Sequence, residues 1–325
     1  MNALLRATLP VASPSLRPPS DAFACETVMA THAHSFHFAA RFLPADVRES
    51  VVILYAFCRY VDDLVDEAQS PSDRLEARRE LRQWRAWLQS AAQCCPEPAL
   101  GSPLQEVLDQ YCVPQRHLLD LLDGVESDLG PVHIQSFRGL RHYCHQVAAT
   151  VGLCMAHVLG ACSPQALAAA EELGIAMQLT NILRDVGADL AIGRMYLPQD
   201  ELAVFQCDVD HIVRLADAGR GPDRHFRSLM RFQVERAYFQ YQRGLEGVPL
   251  LPRDVRLSIL TAAWLYRGIL DVIESRRYDV LRQRATTSSL AKGRHALMAA
   301  ATVKLWELGG RIGVPVSATV SAQQV

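Results

Sequence analysis

The stretch YAFCRYVDDLVDE, Tyr55 to Glu67, sets eight apolar or aromatic residues among four acids and one arginine. On a helix Tyr55, Arg59, Asp62 and Asp66 are spaced 4, 3 and 4, so they stack on one face. A second stretch, QLTNILRDVGAD, repeats the device: Gln178, Asn181, Asp185 and Asp189 are spaced 3, 4 and 4, with Leu179, Ile182 and Leu183 between them. Each helix therefore carries a polar ladder ending in two aspartates inside sequence that otherwise favours burial. A solvated face would favour Lys or Glu, whereas these ladders use short Asp, Asn and Gln. Short oxygen ligands suit Mg²⁺, which binds through one or two carboxylates plus substrate phosphates. Burying carboxylates is expensive unless something neutralises them. Two such ladders facing each other would make a cavity fit for metal-bridged diphosphate.

The elements that must position these ladders are helical almost throughout. Period-2 alternation bounded by hairpin turns is missing, and 3.6-residue periodicity dominates. SDRLEARRELRQWRAWLQSAA reads as a surface helix with Leu75, Leu81, Trp84 and Leu88 as its inner stripe. Within it, RRELRQWR reads as a solvated basic face, with a membrane-surface role as the lesser reading. Ser163 and Pro164 suit the N-cap and first position of a long helix running through the second ladder. Val147 to Cys162, rich in Gly and Ala, reads as a buried helix. The breaks at Cys95–Pro103, Gly130–Pro131 and Gly187–Pro198 are connection-sized, and no linker or repeat divides the chain. The expectation is one all-α domain of eight to ten helices over residues 21–310, with a flexible arm at 1–20 and a flexible tail at 311–325.

Bulk properties exclude several classes. The chain has 325 residues, half of them apolar, and a net charge of −2 with acids and bases mixed. That is not the basic footprint of a nucleic-acid binder. Nine cysteines without a CxxC pair read as reduced, buried small hydrophobes in a cytoplasmic protein. No run is long and apolar enough for a transmembrane helix. His32, His34 and His37 lack the partner set of a zinc site, and His142 and His145 read as ordinary packed or solvated residues. Asp208 and Asp210 read as helix caps.

At these residues the sequence resembles the squalene and phytoene synthase family of head-to-head prenyl synthases. YAFCRYVDDLVDE is similar to its first aspartate-rich motif, and QLTNILRDVGADLAIGRMYLP, the longest match, to its second. HAHSFHFAARFLP from His32, YCHQVAATVGLCM from Tyr143 and AAWLYRGILDVIESRRYDVL resemble further segments in the same order, over roughly Asp21 to Arg294. The resemblance implies an all-α isoprenoid synthase fold with helices around a central hydrophobic cavity. It implies Mg²⁺, with Mn²⁺ as the alternative ion, held by Asp62, Asp63, Asp66, Asn181, Asp185 and Asp189. Diphosphate would meet Arg59, Gln178, Asn181, Arg184 and Tyr266. His32, Ser35 and Phe36 would flank one substrate, and Tyr55 and Tyr143 would line the reacting region. Arg194 and Tyr196 close the second motif, either as site residues or as anchors of the following loop.

The implied partners are two allylic prenyl diphosphates. The leading expectation is two geranylgeranyl diphosphates joined to phytoene through a cyclopropyl (prephytoene) diphosphate. Alternatives are a C30 synthase making squalene, dehydrosqualene or hydroxysqualene from farnesyl diphosphate, and a non-catalytic relative serving as an assembly factor. No GxGxxG fingerprint follows a strand, which leans away from NADPH. Greasy substrates and product imply peripheral membrane contact. Three departures from the family pattern stand out: Ala188 where another acid is usual, Ala149 where glycine is common, and Gln283, flanked by Arg282 and Arg284, where an arginine often follows Tyr278.

Overall fold

The computed structural model describes residues 22–90, 94–219 and 221–308, and among these every regular element is helical. In chain order the α-helices are α1 (Ala22–His32), α2 (His34–Ala40), α3 (Ala45–Asp66), α4 (Pro71–Leu88), α5 (Pro98–Gln110), α6 (Gln115–Ser127) and α7 (Phe137–Cys144). After a π turn at His145–Ala149 come α8 (Thr150–Val158), α9 (Pro164–Ala191), α10 (Gln199–Val204), α11 (Val209–Asp217), α12 (Arg224–Leu245), α13 (Arg256–Ser275) and α14 (Ser289–Glu307). The all-α expectation holds. The arm at 1–20 and the tail at 311–325 lie outside the described residues. Among the described residues no helix is long and apolar enough to cross a membrane.

Local chemistry sets the helix ends. Ser70 and Asp73 form a reciprocal capping box at the start of α4. Ser163 accepts from the Ala166 amide at 3.2 Å, with Pro164 next in line, and so launches the 28-residue α9 as expected. Asp208 caps α11 by accepting from the His211 amide at 2.7 Å. The helix through Val147 begins within the π turn and ends at Gly160, whose φ of +72° lets the Ala161 amide reach the Ala156 carbonyl.

Three expectations need correction. Leu75 is 65% exposed, while Leu81, Trp84 and Leu88 are buried. At about 100° per residue Leu75 lies about 120° from Leu81, and Ala77 takes the buried place instead. The cysteines are all free thiols, but only Cys25, Cys144, Cys154 and Cys207 are buried; Cys94, Cys112 and Cys162 sit exposed in connections. The described residues also contain fourteen α-helices rather than eight to ten, because the segment before Arg41 breaks at Ala33 and the stretch after Pro198 adds two short helices.

Buried side chains gather in two clusters. One is built around α3 to α6 and the start of α13, the other around α9, α12 and the end of α13. Leu173 and Met177 of α9 pack against both. Gly174 allows α9 to touch the π turn, since a Cβ there would lie 2.6 Å from the Ala149 Cα. Ala149 is fully buried in this contact, so its methyl is accommodated by the missing one on Gly174.

Candidate active site

Between the two clusters lies a cavity of about 380 Å³. Its wall is mostly aliphatic, with Ser258 set in it, and its charged and amide residues gather with Tyr266 at one end: Arg59, Asp62, Asp128, Gln178 and Asn181. Along α9 the lining row is Ala166, Ala170, Leu173, Met177 and Asn181, spaced 4, 3, 4 and 4, one face of a single helix. The apolar wall and the polar end are thus two segments of the same stripe.

The first ladder is the inward face of α3. Tyr55, Arg59 and Asp62 line the cavity, while Asp66, one turn on, is exposed and outside the lining. Arg59 donates to Asp63 and, at 3.4 Å, to Asp62. Half of the Asp62 side chain is open, but it opens onto the cavity rather than bulk water. Desolvation there, with the Asp66 carboxylate one turn away, pushes Asp62 up to about 7. Asp63 turns off the ladder and shares a separate acidic hollow with Glu67 and Glu80.

The second ladder runs along α9. Burial alone would raise Asp185, but paired hydrogen bonds from Arg184 (2.9 and 2.5 Å) and Arg284 (2.6 and 2.9 Å) outweigh it and hold Asp185 below the usual carboxylate range. Arg284 arrives because Gly187 lets residues 280–281 cross α9; a Cβ there would meet the Leu281 and Val280 carbonyls at 2.8 Å. Arg282 turns away to Asp279. So Arg284, one position past Gln283, supplies the C-terminal cation. Asp189 has no such cation in contact among the described residues, and desolvation with the nearby Asp185 pushes it up to about 7. Ala188, where an acid is usual, is exposed and lies about 20° round the helix from Asn181, so the position borders the second ladder but brings no oxygen to it.

The two ladders meet. Arg194, held by its amide bond to the Asp189 carbonyl at 2.8 Å, reaches across to the Asp66 carboxylate at 2.9 Å. Asp128, which the sequence reading missed, sits between them and feels Asp62, Asp66 and Asp189. It accepts from Tyr143 at 2.7 Å and from Tyr196 at 3.0 Å, the two rings stacked at 4.9 Å. Burial raises Asp128 despite these bonds. A local signal existed: Asp128 is the C-cap of α6, where the helix dipole disfavours an anion. Arg194 and Tyr196 anchor the loop after α9 through these bonds to Asp66 and Asp128.

The donor set fits a hard cation. The Asn181 Oδ1 is buried without a hydrogen-bond partner, on the same stripe as Asp185 and Asp189, and only its amide nitrogen is occupied, by Gln178 at 3.2 Å. An orphaned oxygen beside two carboxylates is costly unless a cation or donor arrives. Among the described residues no three acids, histidines or cysteines already converge on one point. Of the N-terminal candidates, Phe36 lines the cavity and packs on Tyr266 at 4.7 Å, whereas His32 is exposed and Ser35 lies outside the lining. Tyr266 hydrogen-bonds with Arg184, joining the aromatic wall to the second ladder.

Comparison with known proteins agrees with this architecture. Residues 29–291 match the family model described as squalene/phytoene synthase. The chain is 36% identical to a phytoene synthase of Arthrospira platensis over 84% of its own length and 91% of that protein's. It is 34% identical to a 15-cis-phytoene synthase of a Synechocystis species, covering 85% of each chain. Among solved structures a dehydrosqualene synthase superposes with a TM-score of 0.78 at 26% identity, covering 87% of this chain and 96% of that one. A squalene synthase of Alicyclobacillus acidocaldarius gives 0.67 at 25% identity, covering 79% and 94%. With a family match across most of its helices and relatives above 30% identity over nearly their whole length, the chain belongs to the squalene/phytoene synthase family and is a prenyltransferase.

Proposed function

We propose that this enzyme joins two geranylgeranyl diphosphates head to head into phytoene, by way of the cyclopropyl prephytoene diphosphate, with Mg²⁺ as its ion. The observation that carries the C20 choice is the length of the cavity. Its α9 wall runs from Asn181 to Ala166, a rise of fifteen steps, or about 22 Å at 1.5 Å per residue. A zigzag carbon chain advances about 1.25 Å per bond, from bonds of about 1.5 Å. The sixteen in-line carbons of a geranylgeranyl chain then span about 19 Å, and the twelve of a farnesyl chain about 14 Å. The longer chain fills the groove; the shorter one leaves its far end vacant.

Asp62, Asp66, Asn181, Asp185 and Asp189 are assigned to Mg²⁺, with Asp63 supporting from the flank. When bound, the metal neutralises charge developing on departing diphosphate. Arg59, Arg184 and Arg284 offer planar forks suited to phosphate oxygens. Gln178 and Tyr266 complete that end. Tyr55 and the Phe36–Tyr266 pair line the region where an allylic cation forms, and aromatic rings there favour positive charge. Tyr143, held by Asp128, fixes the opposite wall. The aliphatic lining excludes water that would quench a cation.

The decisive experiment offers both chain lengths in competition with Mg²⁺ and separates products by chromatography. Phytoene as the main product is expected. Preferred turnover of the C15 donor would assign the C30 reaction instead, and no diphosphate release from either would leave only a non-catalytic relative.

A further inference from the structure

Helix α14 is apolar on both sides but covered on one. His295, Ala299, Thr302 and Val303 are buried, His295 against Gly268 of α13. On the other side Leu290, Leu297 and Leu308 expose 86%, 74% and 74% of their surface, with Met298 and Leu305 beside them. At about 100° per residue these three leucines fall within about 20° of one line. A helix that is apolar all round is normally enclosed, and of the eleven exposed large apolar residues described in this chain four lie on this single element and a fifth, Leu308, is its C-cap.

Charge identifies what covers it. Arg294 and Lys304 are exposed about 40° to either side of the leucine line. Lys292 adds a third cation, and Glu307, bonded to Lys304 at 3.4 Å, is the helix's one acid. The helix is thus positive on a chain of net charge −2. A second copy would bring the same cations and no matching acids, whereas an anionic lipid surface supplies the missing charge. Leucines entering the acyl boundary while Lys and Arg stay at headgroup level is the usual balance for interfacial helices. We propose that the Leu290–Leu297–Leu308 face of α14 is the docking surface for an anionic membrane. Helix α13, which carries α14 on one side, lines the prenyl cavity with Ser258, Ile259, Ala262 and Tyr266 on the other. Docking there sets the lipid one helix away from the cavity; only the purpose of this arrangement rests on the proposed reaction.

The test is sedimentation of the full chain with vesicles of phosphatidylglycerol or of phosphatidylcholine. Wild type is expected to partition onto phosphatidylglycerol, less so in high salt. The triple variant Leu290→Gln, Leu297→Gln, Leu308→Gln and the double variant Arg294→Glu, Lys304→Glu should each lose at least tenfold in partitioning. Turnover of detergent-dispersed substrate should stay within twofold of wild type, which also reports folding. Wild type that ignores phosphatidylglycerol, or variants that bind as wild type does, would overturn the proposal. So would a wild-type dimer that the triple variant dissociates, because a second copy would then be the occupant. Absence of turnover in detergent would strike the proposed reaction and leave the vesicle result standing.

Discussion

On the proposed C20 reaction, substituting Ala166→Phe at the far end of the cavity should shift the preference to the C15 donor. Ala166 is buried in the last turn of the lining row, about 22 Å from Asn181, and a benzyl group there occupies the space assigned to the terminal isoprene unit. That unit has five carbons, worth about 0.8 kcal/mol each when buried, or about 4 kcal/mol in all. Losing it for the C20 donor while sparing the C15 donor, whose chain ends about 8 Å short, should shift the ratio of kcat/KM values by up to about a thousandfold. Overpacking would cost about 1–3 kcal/mol of stability, so circular dichroism and thermal melting accompany the assay. Competition between the two donors, read by product chromatography, gives the ratio directly. A folded variant that keeps the wild-type ratio to within about threefold would show that the α9 row does not measure chain length.

Two further outcomes concern the polar end. Asp62→Ala and Asp185→Ala should each reduce turnover by at least about a thousandfold, the scale of losing charge stabilisation at a reacting centre, with helical content unchanged; a loss of helix signal would mean that the carboxylates serve the fold. Arg284→Gln should lower kcat/KM by about 10–100-fold, since it removes a bidentate cation from the second ladder. Arg282→Gln, whose partner is Asp279, should stay within about threefold; equal effects would undo the assignment of Arg284.

Both ladders were legible in the sequence because their geometry is local. Spacings of three and four residues fix a helical face whatever surrounds it, so Tyr55, Arg59, Asp62 and Asp66 fall where their order puts them. The start of α9 at Ser163 was equally local. What stayed hidden depends on long-range packing. The bond from Arg194 to Asp66 joins residues 128 apart in sequence, and that from Arg284 to Asp185 joins residues 99 apart. No periodicity encodes either. Asp128 belongs to neither ladder and becomes a site residue only because Tyr143 and Tyr196 close on it from two other segments. Leu75 misled for a different reason: an apolar type was taken for a buried position, although its angle on the helix pointed outward.

The charges at the mouth sort themselves in a way that predicts a proton count. Asp63 is paired with Arg59, Asp66 with Arg194, and Asp185 with both Arg184 and Arg284, while Asp128 is held by two tyrosines. That leaves Asp62, whose single bond to Arg59 is long at 3.4 Å, and Asp189, one on each wall, and these are the two pushed up to about 7. Because their folded values lie above the ordinary 3.8, the folded chain binds more protons than the unfolded chain between about pH 4 and 7. Stability contributed by these groups is therefore fully present at low pH and is lost as pH rises through 7. Mg²⁺ should reverse the loss, so the rise in Tm on adding it should be larger at pH 8 than at pH 6. With both groups raised towards neutrality, metal binding near pH 7 should release a measurable number of protons. Calorimetric titration of Mg²⁺ in two buffers of different ionisation enthalpy measures that number. Binding with no proton release would mean that Asp62 and Asp189 are already ionised at pH 7, and the two walls would then hold their negative charge without waiting for the ion.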